Sequence, residues 1–122
     1  MRRRIAPAGD ATGQSVDAPG AAVDPVAASG ADETWAPGGV AVHPASRSVL
    51  LTNLAGRRLL RLTLAEGDAR TVAATATALE GEGRLRAVAR GPDGCFYVTT
   101  SNRDGRGDPA PADDRVLRLC PR

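Results

Sequence analysis

The sequence predicts an all-β fold, and three features carry the prediction. From Trp35 onward the chain breaks into short apolar runs of strand length separated by turn residues. Its apolar content, 42% of residues with only 2% aromatic, comes mainly from Ala, Val and Leu, and the Val and Thr residues among the runs favour extended backbone. The pattern then recurs: "GVAVHPASRSVLLTN" (39–53) matches "RAVARGPDGCFYVTTSN" (86–102), and "RLLRL" (58–62) matches "RVLRL" (115–119). A repeat of antiparallel strands about fifty residues long has the size of a propeller blade, and closure takes roughly four to eight blades. The chain therefore reads as a partial β-propeller of about two four-stranded antiparallel blades.

Residues 1–34 are Ala, Gly, Pro, Asp and Ser with hardly a bulky apolar side chain, a composition that cannot offset chain entropy. They are expected to be disordered, which leaves 35–122 as the folded domain. "MRRR" has the basic character of a secretory leader, but no apolar stretch of about 7 to 15 residues follows it, so no signal peptide is readable. No window approaches the roughly 18 consecutive apolar residues of a membrane helix, and no membrane partner is expected.

Strands are expected at 38–44, 47–54, 57–64, 69–79, 85–90, 95–100 and 115–119, with "PAS", "AG", "EGD", "GPDG" and "SNRDGRGDPAPADD" as the connections that contain their turns. The segment "TVAATATAL" has the alanine content of a helix. Thr71, Val72, Thr75 and Thr77, and its place between strands, make it a strand. Pairing 95–100 with 115–119 so that Phe96 faces Leu119 and Val98 faces Leu117 also sets Cys95 opposite Cys120. The two sulfurs are expected to be adjacent, bonded or not, and without an export signal two free thiols are the default.

Composition excludes several chemistries. All sixteen basic residues are arginine and face fourteen acidic ones, a near balance that argues against a nucleic-acid partner. With no lysine there is no Schiff base or phosphate-loop lysine, and two cysteines with one histidine cannot complete the usual zinc sets. His43, before Pro44, reads as a strand-end histidine, and Trp35 as a packing residue. "RGD" at 106–108 arises easily by chance in so Arg-rich a chain, and "NRDGRGD" lacks calcium-loop spacing and reads as an Asx-type turn. Asp113 and Asp114 read as a solvated turn that pairs with Arg115 or Arg118.

The stretch with most chemical content is "GRLRAVARGPDG" (83–94). Residues i and i+2 of a strand point to one side, so Arg84 and Arg86 are expected to project together while Leu85, Ala87 and Ala89 pack the other face. Two guanidinium forks side by side suit a ligand with several carboxylates. The bland alternative is that both arginines cap the blade surface with salt bridges to acidic neighbours such as Glu80 or Glu82.

At "GRLRAVARGPDGCFYVTTSNRDGRGDPAPADDRVLRL" (83–119) the chain resembles the C-terminal end of the glucose/sorbosone dehydrogenase family, the soluble sugar dehydrogenases dependent on pyrroloquinoline quinone (PQQ). The likeness extends more loosely upstream through "NLAGRRLLRLTL" and "APGGVAV". It implies a six-bladed propeller to which this chain would supply about the last two blades, a sugar substrate, and PQQ as cofactor, with Arg84 and Arg86 as its contacts. It also implies a catalytic histidine and a calcium site on earlier blades, so no catalytic residue and no metal ligand is assigned here. The chain alone is expected to be inactive and to self-associate through exposed blade edges; the rival reading is a non-catalytic propeller-blade binding module. Family members are often periplasmic or secreted. One departure stands out: where relatives place a basic contact after the leucine of "NLAGRR", this chain has Ala55, with Arg57 and Arg58 following, so either a neighbouring arginine substitutes or the contact is lost.

Overall fold

The computed structural model describes residues 24–121. The expectation of disorder over 1–34 falls mostly on residues 1–23, outside the described residues, while 24–36 carry no helix or strand. The chain divides into a unit over Met1–Gly30 and a unit over Ala31–Arg122, and every regular element among the described residues lies in the second.

Among the described residues seven strands form, close to where the turn residues place them: β1 Pro37–His43, β2 Ser48–Asn53, β3 Arg58–Ala65, β4 Asp68–Glu80, β5 Leu85–Arg90, β6 Phe96–Thr100 and β7 Val116–Leu119. A single 3-10 turn at Pro44–Ser46 separates β1 from β2. They make two antiparallel meanders, a four-stranded sheet in the order β1-β2-β3-β4 and a three-stranded sheet in the order β5-β6-β7. No helix among the described residues is long and apolar enough to cross a membrane. The internal repeat is now structural, since β1-β2-β3 and β5-β6-β7 are the same hairpin-plus-strand unit.

Two four-stranded blades were expected, and the second sheet has three strands. The second copy of the repeat contains matches to the first three strands, and no segment in it corresponds to the long β4. The alanine-rich segment that becomes β4 is a strand as its threonines require, lying along β3 at the sheet's outer edge. Three irregularities in that pairing break its regularity, a common way of protecting an edge from further strands.

The two sheets pack face to face. Leu50 and Leu59 from the first meet Leu85, Val88, Phe96 and Val98 from the second, with Leu59, Leu85 and Val98 fully buried. Burying such side chains is worth about 1.5 to 3 kcal/mol each, enough to hold two small sheets together. His43 lies against the Phe96 ring, 5.5 Å between centroids, which is the packed strand-end position expected of it. On the far face of the first sheet a second cluster, Leu51, Leu60 and Leu62, is partly covered by Trp35, Val49 and Val72. Trp35 is thus a packing residue, and its carbonyl accepts the N–H groups of Ala55 and Gly56 to anchor the β2–β3 hairpin. Val40 and Val42, on that same face, are 60% and 57% exposed.

The β6–β7 register is the one the apolar pattern demands, with Phe96 opposite Leu119 and Val98 opposite Leu117. Cys95 and Cys120 follow from it, their Cα atoms 4.2 Å apart, and they are joined in a disulfide where free thiols were the default expectation. Register alone brought the sulfurs together, because every side chain of a paired strand inherits its partner from its neighbours.

Candidate functional site

At one end of the two sheets, the β2–β3 hairpin, the approach to β5 and the long 101–115 loop meet. Here the expected alternation of β5 fails. Leu85 is opposite Thr100 but Ala87 is opposite Thr99, so Arg86 is the extra residue of a β-bulge. One inserted residue shifts the pleat by one position. Leu85 and Val88 therefore face the core, and Ala87 and Ala89, expected to pack beside Leu85, are exposed.

The bulge also sets the Arg86 carbonyl against the first sheet. Thr52 Oγ1 donates to that carbonyl at 3.0 Å and accepts the Gly39 N–H at 2.8 Å, a joint between the sheets that pins the strand at the arginine. Gly38 lies so close that an added methyl would overlap the Arg86 carbonyl oxygen, which explains why the β1 end is glycine-rich.

Despite the bulge, the two arginines do converge. Arg84 Nη2 lies 3.3 Å and Arg86 Nη2 3.2 Å from the same oxygen, Asp104 Oδ2. Arg84 Nε donates to the Ser101 carbonyl at 3.3 Å, and Arg86 Nε and Nη2 donate to Ser101 Oγ at 3.2 and 3.1 Å. Their environments differ, for the Arg84 side chain is 11% exposed and that of Arg86 is 54% exposed. Salt bridges to an acidic neighbour therefore do form, and the acid is Asp104, while Glu82 pairs with Arg115 at 2.9 Å.

A hub under the arginines holds the loop. Asn102 is 2% exposed, and its Oδ1 accepts the Arg84 N–H at 2.8 Å while its Nδ2 donates to the Glu82 carbonyl and to Asp113, each at 3.0 Å. Gly83, with φ +83°, must be glycine because any Cβ would collide with the Asn102 amide. Gly107 lies against the Arg84 stem in the same way. Asp113 pairs with Arg115 at 2.8 Å as expected, but its side chain is 1% exposed and so is no solvated turn. Arg118 instead reaches Asp93, which also accepts the Tyr97 hydroxyl. The expected Asx turn is present, the Arg106 N–H donating to Asp104 Oδ1 at 2.9 Å.

Residue-by-residue reading of the sequence missed Ser101, Asn102 and Asp104 as organisers of this site. Their signal was "TSNRD", polar residues placed directly after a buried strand, where a solvent loop would have served as well.

Two carboxyls here are held far below the ordinary 3.8. The Arg106 N–H, then Ser101 and Arg84, bring Asp104 down to about 2, and the Ala110 N–H, then Arg115 and Asn102, do the same to Asp113. A carboxylate whose folded value is depressed stabilises the fold fully above its unfolded value and loses that contribution as pH falls through the folded one. The stability that these carboxylates supply is therefore expected to be complete above about pH 4 and to fall away between pH 4 and 2, the contacts themselves breaking as the carboxyls protonate near pH 2. A pH titration of the arginine side-chain NMR signals checks this, and Asp113→Asn should remove the Arg115 part of the transition.

On the neighbouring hairpin Ala55 is exposed, and its methyl side chain offers no charge to pair with an anion. Arg58 is committed to Glu33 at 2.7 Å. Arg57, in a left-handed conformation with φ +57°, has its guanidinium 3.9 Å from Asp108 of the 101–115 loop, whose side chain is 96% exposed. Arg57 thus comes to the loop that carries Asp104.

The chain as a whole has identifiable relatives. The model of the Glucose / Sorbosone dehydrogenase family matches residues 5–117. Among solved structures, a putative oxidoreductase (glucose dehydrogenase) from Thermus thermophilus is 50% identical with a TM-score of 0.63, over 70% of this chain and 25% of that one. The PQQ-bound form of an aldose sugar dehydrogenase from Streptomyces coelicolor is 44% identical with a TM-score of 0.65, over 79% of this chain and 28% of that one. Among curated proteins there is no significant match. This chain thus spans about a quarter of the length of the structures it resembles, and its two sheets are blades of a partial β-propeller. Because the family pattern runs through both sheets and the arginine-bearing loop alike, the chain belongs to the glucose/sorbosone dehydrogenase family.

Proposed function

We propose that this chain is the C-terminal part of a PQQ-dependent sugar dehydrogenase and that Arg84 and Arg86 hold carboxylates of the cofactor. The observation that carries the reading is the convergence of two guanidinium groups on one oxygen of Asp104, with neither Nη1 bonded among the described residues. That donor set fits PQQ, whose three carboxylates are the groups an arginine fork binds best. Arg57 takes the place of the basic contact missing at Ala55, since its 3.9 Å pairing with an exposed aspartate is weak and leaves it free to turn.

When bound, the quinone supplies the hydride acceptor for oxidation of an aldose. The residues of this chain anchor and orient; none is assigned as the base or as a calcium ligand, both of which the family resemblance places on earlier blades. Mixed with PQQ, calcium and glucose, the isolated chain is expected to show no sugar oxidation, because general-base and metal contributions are missing. Turnover by this chain would overturn the reading. Grafted in place of the corresponding blades of the Streptomyces coelicolor enzyme, it should restore PQQ binding.

The rival reading, a non-catalytic blade module that completes another propeller, draws on the uncovered face of the first sheet around Val40 and Val42. Under either reading that face should pack against another apolar surface and the open edge of β7 should recruit further strands. Sedimentation of the purified chain is expected to show association, and a compact, cooperative monomer would contradict it. Failure of the graft to bind PQQ would favour the module.

A further inference from the structure

We propose that Asp104 and Ser101 are positioning residues: they grip the guanidinium groups of Arg84 and Arg86 along their Nε–Nη2 edges and so leave both Nη1 ends ready for two carboxylates of one ligand. The identity of that ligand rests on the cofactor reading above; the grip itself rests on this chain's own contacts.

A guanidinium is a rigid plane with five donors, and bonds along one edge fix the direction of the other. Arg84 spends Nε on the Ser101 carbonyl and Nη2 on Asp104. Arg86 spends Nε on Ser101 Oγ and Nη2 on both Ser101 Oγ and Asp104. The Ser101 hydroxyl, which accepts from Arg86, donates in turn to Asp104 Oδ2 at 3.0 Å, so one serine and one aspartate orient both forks. Asp104 is itself held from its other oxygen by the Arg106 N–H of its own turn. Every one of these acceptors lies on the Nε–Nη2 side.

A free surface arginine gives up rotamer freedom when it binds, and a pre-held one has already done so. Against this stands the repulsion between Asp104 and an incoming carboxylate. The site is partly open to solvent, the Asp104 side chain being 24% exposed, and salt weakens such repulsion. Ordering therefore outweighs repulsion, and Asp104 serves the ligand although both are anionic.

Two variants separate the roles. In Asp104→Asn the amide oxygen can serve either the Arg106 N–H or the arginine pair, never both. Ser101→Ala removes the hydroxyl that Arg86 uses and keeps the backbone carbonyl that Arg84 uses. The experiment follows the Arg84 and Arg86 Nε–H and Nη–H signals of the full chain by NMR, since the Nη2 groups are the ones that reach Asp104, and titrates the same samples with PQQ. Slowly exchanging signals for both arginines are expected in the native chain, loss of both in Asp104→Asn, loss of Arg86 alone in Ser101→Ala, and recovery in Asp104→Glu. PQQ affinity should fall about tenfold in Asp104→Asn, the size of one lost charge-assisted bond. Unchanged or tighter PQQ binding by Asp104→Asn would overturn the proposal, as would native exchange rates in both variants. Should PQQ leave the arginine signals of the native chain unmoved, the cofactor reading fails, and the exchange pattern alone still decides whether Asp104 and Ser101 position the forks.

Discussion

Breaking the Cys95–Cys120 bond is expected to lower the stability of the folded chain by about 3.5 kcal/mol, from the entropy regained by the unfolded chain. The bond closes a loop of 25 residues. In the chain-entropy account a loop of that size contributes between the roughly 3 kcal/mol of a 15-residue loop and the roughly 4.7 of a 100-residue one. Small domains have only about 5 to 15 kcal/mol in total, so the loss is a large share. Its structural consequence should be local at first. Among the described residues β7 pairs with β6 alone, and its Leu117 and Leu119 cover the cluster between the sheets, so loosening β7 uncovers Phe96 and Val98. Cys120→Ser is the cleaner variant, because Cys120 is exposed whereas Cys95 is 6% exposed and a serine there would bury a hydroxyl. Urea unfolding with and without reductant, alongside hydrogen exchange of the β7 amides, provides the measurement. A midpoint indifferent to reductant would show that the bond adds nothing to the register.

Arg84→Ala and Arg86→Ala are each expected to weaken PQQ binding by roughly 1.5 to 3 kcal/mol, the range for a lost hydrogen bond to a charged group. That is about 10- to 150-fold in affinity. The two should differ in what else they disturb. Arg84 is nearly buried, its stem packed against Gly107 and its Nε donating to the Ser101 carbonyl, so Arg84→Ala should also loosen the 101–115 loop. Arg86 is more than half exposed and should cost affinity with little stability. Because the two share Asp104 and Ser101, the double variant should lose less than the sum of the singles. Equilibrium titration of the grafted chimera, paired with its unfolding midpoint, separates affinity from folding. A chimera indifferent to both substitutions would remove the role proposed for the pair.

Much of this molecule was already legible in its amino acids. Turn residues and β-branched side chains act locally, so all seven strands stand within a residue or two of where "PAS", "EGD" and "GPDG" punctuate the chain. The β6–β7 register was equally readable, because Phe96, Val98, Leu117 and Leu119 must share one buried face and a slip of one residue would turn them all to solvent.

What tertiary structure alone decided is which way the functional side chains point and what they meet. The bulge at Arg86 reverses the face of β5, and it is held by Thr52 and Gly39 from the other sheet, residues more than thirty positions away in sequence. Asp104 and Asp113 looked like solvated loop acids because their charge is all that a local pattern reveals. The burial of the Asp113 side chain and the partners of both come from Asn102, Arg84 and Arg115, brought together only when the long loop folds back over the end of the sheet. Period and turn chemistry are properties of neighbouring residues, so sequence by itself determined the strands and one register. The guanidinium pair is a property of distant segments meeting, so its partner and its orientation had to wait for the packed chain.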